Sequence, residues 1–378
     1  MVRAPISTKD VAQGRRIHFY EHDYLRDRQL DTIRYWPRDE VLNLERFADR
    51  QGAQVSRSRT LHGSVRPSWR QRVPLLNVKR RPRGLPADAI VYSWGAIVAT
   101  GPFIVDLDSP YALTGYNLKA MPLYRRLLER ALGHPRCVEI RCMSKACRET
   151  VRALFGDRIY GKAQVHYPRL SSPRRDGDGV PTSDPHCRFL FVATQFEIKG
   201  GAALLSAFRR VQEQVPTARL DIVSHVPTAR REVITRCSGV MVHEATFTRE
   251  EIRDRFLRQS DVLVHPTYVD SFSMVVLEAL SEGVAVIATD VYAIREMVHD
   301  GVNGVLLQPP LSIWDGCMPS PYYFKLEKMP EIIGRTDTST FEGQLARAML
   351  ALALDPARRH ATKAASRDVF TTEFAARE

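Results

Sequence analysis

The feature that most constrains this chain is the alternation of its second half. CRFLFVAT reads as a strand, GAALLSAFRRVQEQV as a helix and ARLDIVSH and VMVHEA as strands. TREEIRDRFLRQ follows as a helix, DVLVHP as a strand, SFSMVVLEALSEG as a helix and VAVIATD as a strand. Short apolar strands alternating with helices on brief connections predict a parallel sheet covered on both faces. The first half repeats the pattern less regularly. RIHFYEHDY, QVSRSRT, DAIVYSW, GPFIVDLDSP, VEIRCMS and KAQVHYP read as strands. DEVLNLERFADRQG reads as a helix ending on Gly52, and MPLYRRLLERALG as one with Leu123, Leu127 and Leu128 on one side. SKACRETVRALFG reads as a helix capped by Ser144.

Between the halves, SSPRRDGDGVPTSDPH keeps no apolar face and reads as a linker. The predicted organisation is α/β, with two Rossmann-like parallel-sheet domains over residues 1–170 and 187–345, joined by a linker at 171–186. Helices over 346–378 are expected to pack back across the domain interface. PPLSIWDGCMPSPYYFKLEKMP reads as an irregular excursion, and VAVIATD as the last convincing strand. Two such domains enclose a cleft, and open parallel sheets bind ligands at the C-terminal ends of their strands.

The net charge of +12 calls for an anionic partner: a nucleotide, a nucleic acid or an acidic membrane face. The arginines are spread over both halves and form no nucleic-acid module, which disfavours nucleic acid. No apolar run approaches the ~20 residues needed to span a bilayer. The leader MVRAPISTKDVAQGRR lacks an apolar segment behind its basic residues, so it is not a signal peptide. Cys137, Cys142 and Cys147 recur every five residues without completing a metal site. Reduced structural thiols and a cytoplasmic location are expected.

Candidate chemistry gathers in the second half. In FVATQFEIKGGAALLSAF a strand ends near Thr194, and Lys199-Gly200-Gly201 opens a helix. Such an end offers free N–H groups to a phosphate, glycines allow close approach, and Lys199 adds a mobile cation. The same residues also suit a plain turn with a surface lysine. Asp270 lies in the loop after DVLVHP, and Glu278 sits about two turns into the helix that follows. A carboxylate among Val275, Val276, Leu277, Ala279 and Leu280 is costly to bury without partners. Arg295 and Glu296 follow in VYAIREMVHDGVNG, closed by Asp-Gly and Asn-Gly turns.

The KGG helix, the two acids eight residues apart and the IREMVHDGVNG tail together resemble the donor domain of the retaining, nucleotide-sugar-dependent glycosyltransferases of the GT-B fold, family 4. The resemblance covers residues 187–308 best. It implies that Lys199 holds the donor diphosphate and that Asp270 lies near the hydroxyls of the transferred sugar. It also implies that Glu278 accepts hydrogen bonds from the ribose, and that the amides around Phe272, Ser273 and Met274 meet sugar or phosphate oxygens. No metal and no cofactor beyond the nucleotide sugar are implied. The chain departs from the family in three places. Asp270 replaces the usual glutamate, Ser271-Phe272-Ser273 replaces Gly-Phe-Gly, and Thr194 replaces an arginine that shares the diphosphate. Arg295 is one candidate substitute.

In the family scheme the first domain takes the acceptor, a saccharide or lipid-linked saccharide, near a histidine that this chain lacks. IVDLDSPYALTGY offers Asp106 and Asp108 there, with Asp108 the first candidate for a polar contact and a catalytic role. His18 and His22 lie by Glu21 near the end of the first strand, without a third metal ligand. Tyr116, Lys119, Tyr124, Arg125 and Arg126, with the basic run at 79–83, would suit a lipid-linked acceptor and a peripheral stance on an anionic inner membrane face. They equally suit ordinary solvated charge. The expected function is therefore sugar transfer. An epimerase or hydrolase of the same fold, an inactive scaffold and a nucleic-acid binder are the alternatives.

Overall fold

The computed structural model describes residues 15–22, 25–48, 73–170, 186–234 and 237–375. The described residues form two compact units, one up to residue 168 and one from 169 onward. Residues 1–14 of the expected leader, the strand at 54–60 and residues 171–185 of the linker lie outside the described residues.

The first unit holds a five-stranded sheet of β1 (Ile17–Phe19), β2 (Ile90–Trp94), β3 (Phe103–Leu107), β4 (Cys137–Cys142) and β5 (Ala163–Val165). Spatial order follows chain order, and every pair is parallel. Both β2 and β3 are buried at every position, which explains their unbroken apolar runs. The helices are α1 (Asp27–Arg34), α2 (Ala120–Gly133) and α3 (Lys145–Phe155). The side chain of Ser144 accepts from the N–H of Cys147, so it caps α3 as expected.

Two expectations for this unit fail. The helix expected over 39–52 is, in its described part, two 3-10 turns, Arg38–Glu40 and Leu44–Phe47. Between them Val41 is extended and bridges Ile17. The side chain of Asn43 accepts from the N–H of Phe19 at 3.1 Å and donates to its carbonyl at 2.9 Å. A tertiary tie to β1 thus outweighs local helix propensity. The α-helix lies earlier, at α1, where Leu30 and Ile33 are buried. In α2 the buried stripe is Met121, Leu128 and Leu132, and Leu123 and Leu127 are 67% and 48% exposed on the opposite side.

The second unit holds a six-stranded parallel sheet of β6 (Arg188–Gln195), β7 (Arg219–His225), β8 (Val240–His243), β9 (Val262–His265), β10 (Ala285–Thr289) and β11 (Gly304–Leu307). Their spatial order is β8-β7-β6-β9-β10-β11. The chain therefore winds outward in one direction from β6 and in the other from β9. This is the switch point at which open parallel sheets place their ligands. The principal helices are α4 (Gly201–Gln214), α5 (Arg249–Arg255), α6 (Met274–Ser281), α7 (Ser339–Ala353) and α8 (Pro356–Val369).

The edge strand β11 was missing from the sequence reading. It depends on Gly304, where a Cβ would lie 2.1 Å from the Val286 carbonyl oxygen. The C-terminal helices pack on this unit. Lys363 of α8 donates to Asp261 at 2.8 Å, and Ser366 donates to the Asn303 carbonyl at 3.1 Å. Within the irregular excursion, Trp314–Asp315 and Met318–Pro319 pair as a short antiparallel ladder. Among the described residues, no helix is long and apolar enough to cross a membrane. All six cysteines are free thiols.

Candidate functional site

Strand β6 loses its regular pairing with β7 between Val192 and Gln195, and Thr194 lies in that irregularity. A tight turn then leads to Gly200, at φ +82°, and into α4. A Cβ on Gly200 would lie 2.1 Å from the Pro266 carbonyl oxygen, and one on Gly201 would lie 2.3 Å from the Phe196 ring. Gly200 therefore lets the loop after β6 press against the loop after β9, and Gly201 lets that loop fold onto its own Phe196. The N–H of Tyr268 adds a 3.1 Å hydrogen bond to the Ile198 carbonyl.

That packing delivers Lys199 to Asp270. The ammonium donates to Asp270 Oδ2 at 2.8 Å and to the Val269 carbonyl at 2.6 Å. Oδ1 of Asp270 accepts from the Ser271 N–H at 2.9 Å. His265, the last residue of β9, places Nε2 at 3.0 Å from Asp270 Oδ2 and 2.9 Å from Ser273 Oγ. Burial alone would push the Asp270 carboxyl up, but Lys199 and His265 outweigh it and hold the group well below the usual carboxylate range. Burial holds His265 below its ordinary value although Asp270 works to raise it, and Nε2 faces the carboxylate. Its Nδ1 is buried without a hydrogen-bond partner. Trp314 closes the cluster, with its indole N–H donating to the Asp270 carbonyl at 2.6 Å and its ring stacked 4.0 Å from that of Tyr292.

Ser273 stands at φ +65°, where side chains other than glycine are strained, and it immediately precedes α6. Phe272 is buried and Met274 opens the helix. One turn further, Glu278 Oε1 accepts from Arg249 Nε at 2.8 Å, and each side chain is 17% exposed. Arg249 is the first residue of α5. Thr248 and Glu251 form a capping box that sets the start of that helix. The T-x-x-E signature marks this start in the sequence, but nothing in it points to Glu278.

The structure thus joins Lys199, Gly200, Gly201, Asp270, Ser271 and Ser273, and gives Glu278 an arginine of its own. Arg295 is 65% exposed in its side chain and donates from Nε and Nη2 to the two carboxylate oxygens of Asp290. Glu296 lies in the same 3-10 turn, Ile294–Glu296. His265, Arg249 and Trp314 are the residues that sequence reading missed.

In the first unit, both oxygens of Asp108 accept from the Tyr116 hydroxyl, at 2.8 and 2.7 Å. Asp106 is buried and accepts from Arg28 at 2.8 Å and from the Tyr92 hydroxyl at 2.6 Å. Arg141 stacks on Trp36 at 4.4 Å and pairs with Glu139, whose other oxygen meets His166 at 2.5 Å. These charges balance one another within the core. His18 is buried on β1, and burial lowers its pKa. Among the described residues, no cluster of three or more His, Cys, Asp or Glu could hold a metal.

A doubly wound parallel sheet with a cation and an acid paired at its switch point defines an α/β unit of the Rossmann-like class. Residues 186–313 match the family model described as "Glycosyl transferases group 1". The chain is 31% identical to a D-inositol 3-phosphate glycosyltransferase of Xylanimonas cellulosilytica over 137 residues, 35% of this chain and 32% of that one. It is 31% identical to the phosphatidyl-myo-inositol mannosyltransferase of Mycobacterium tuberculosis over 222 residues, 57% of this chain and 54% of that one. The chain therefore spans about half or less of the length of these relatives.

Among solved structures, S. aureus TarM superposes with a TM-score of 0.54 at 10% identity, over 77% of this chain and 53% of that one. Sucrose-phosphate synthase of Thermosynechococcus elongatus superposes at 0.51 with 16% identity, over 76% and 69%. These likenesses establish the fold, two Rossmann-like units of GT-B type.

Proposed function

We propose that this chain transfers a sugar from a nucleotide-sugar donor to a saccharide or lipid-linked saccharide, with retention at the anomeric carbon. The observation that carries the reading is the Lys199–Asp270 pair at the switch point of the second sheet. The family match over 186–313 supports donor binding in this unit.

In this reading the donor diphosphate takes up the Lys199 ammonium and the amides of Phe272, Ser273 and Met274. Glu278 receives the ribose hydroxyls. Asp270 holds Lys199 in place through Oδ2 and offers Oδ1, shared with the Ser271 N–H, to the transferred sugar. The bond from the anomeric carbon to the diphosphate oxygen breaks as the acceptor oxygen attacks. Charge grows on the leaving diphosphate, where a fixed cation and oriented N–H groups stabilise it most. That oxygen can then take the acceptor's proton.

The first unit takes the acceptor, with Asp108 and Tyr116 as polar contacts. Leu123, Leu127, Arg126 and Arg130 share the exposed side of α2, a pattern that supports peripheral contact with an anionic membrane. Incubation with a panel of labelled nucleotide sugars and glycan or lipid-linked acceptors tests the reading. Label in a glycoside of unchanged anomeric configuration supports it. Release of free sugar alone, or an isomerised donor, replaces it with a hydrolase or an epimerase.

A further inference from the structure

We infer that Arg249 is a positioning residue for the nucleoside end of the donor, acting through Glu278. The inference rests on the donor-site reading above. Glu278 lies within α6, one residue past the apolar run Met274–Leu277, and reaches its partner across 29 residues of sequence. Nε of Arg249 donates to Oε1 at 2.8 Å with both side chains 17% exposed, so the pair is largely shielded from water. The Nε–H of a planar guanidinium is a directional donor that aims Oε1, whereas a lysine ammonium would supply charge from a freely rotating head. The backbone of Arg249 is itself set, because Thr248 and Glu251 cap the first turn of α5 reciprocally. Glu278 is therefore presented to ligand in one orientation, chosen by a different helix. A diol such as ribose is the ligand group most sensitive to that orientation, because its two hydroxyls must meet one carboxylate together.

The test is calorimetric binding of UDP, GDP, ADP and CDP, each beside its 2′,3′-dideoxy form, to the full chain. Wild-type protein should favour one ribonucleotide over its dideoxy form by roughly tenfold. Arg249→Gln and Arg249→Lys should shrink that preference to about twofold or less, with affinity for the dideoxy form unchanged. The double variant Arg249→Gln, Glu278→Gln should bind no more weakly than Glu278→Gln alone, because one residue acts through the other. Equal losses for ribo and dideoxy forms would overturn the inference, since Arg249 would then touch phosphate or support the fold generally. A full ribose preference in Arg249→Gln would also overturn it, provided Glu278→Gln loses the preference. A full preference in Glu278→Gln, or no binding of any of the four diphosphates to wild-type protein, would instead remove the donor-site reading and this inference with it.

Discussion

The Lys199 ammonium stands 2.8 Å from Asp270 Oδ2, across 71 residues of sequence and two loops that leave neighbouring strands β6 and β9. Neither group is freely solvated, with side-chain exposures of 21% and 12%. The acid thus supports the cation. Its one-methylene-shorter reach than glutamate is consistent with that role.

Lys199→Ala should cost about 1.5–3 kcal/mol at neutral pH, because a shielded carboxylate loses its cation and keeps only His265 and the Ser271 N–H. Asp270 is held below its ordinary range, so its contribution is present above the unfolded value of about 3.9 and fades as pH falls towards the folded value. Wild-type and variant melting temperatures should differ most near neutrality and converge in acid. A difference that grows in acid would contradict the pairing. Turnover should fall further than nucleoside binding, because the leaving diphosphate carries most charge in the transition state.

His265→Gln keeps a donor near the Nε2 position but cannot take up a proton. Burial lowers the His265 pKa in the folded state, so the unfolded chain binds the extra proton below about pH 6.5 and stability falls there. The variant should lose stability less steeply between about pH 6.5 and 5, by up to one proton in the slope. Other histidines held low by burial, His18 and His166, keep the remaining slope. Chemical denaturation across pH reads this directly, and an unchanged slope would remove His265 from the balance.

Ser273 separates strain from hydrogen bonding. Ser273→Gly and Ser273→Ala both lose the contact to His265, but only glycine relaxes the φ of +65°. The glycine variant should be more stable than the alanine variant by about 1 kcal/mol. Equal stability would mean that the left-handed backbone costs nothing here.

Leu123→Glu with Leu127→Glu should leave melting unchanged, since both side chains face away from the buried stripe of α2. Sedimentation with vesicles rich in anionic lipid should show loss of binding in the double variant. Retained binding would assign any membrane contact to another surface.

The sheets and most helices were legible in the sequence because buried parallel strands are short apolar runs and α3 carries its serine cap. That Lys199 and Asp270 fall in loops at strand ends was legible in the sequence. The failures have physical causes. Asn43 overrode a helical pattern by satisfying Phe19 across the fold. Strand β11 hinged on one glycine fitting against β10. The leucines of α2 carried no mark of which face turns inward. Arg249 and Trp314 reach the site from distant segments, and no local pattern encodes a partner 29 or 44 residues away.

The account rests on a donor held at Lys199, and thermal unfolding with a panel of nucleotide sugars tests that most directly. A ligand that binds only the native state must raise the melting temperature. One donor should stabilise the wild-type chain, and the same donor should lose most of that effect in Lys199→Ala. A panel that leaves the wild-type melting temperature unmoved, or a shift that survives intact in Lys199→Ala, would contradict it.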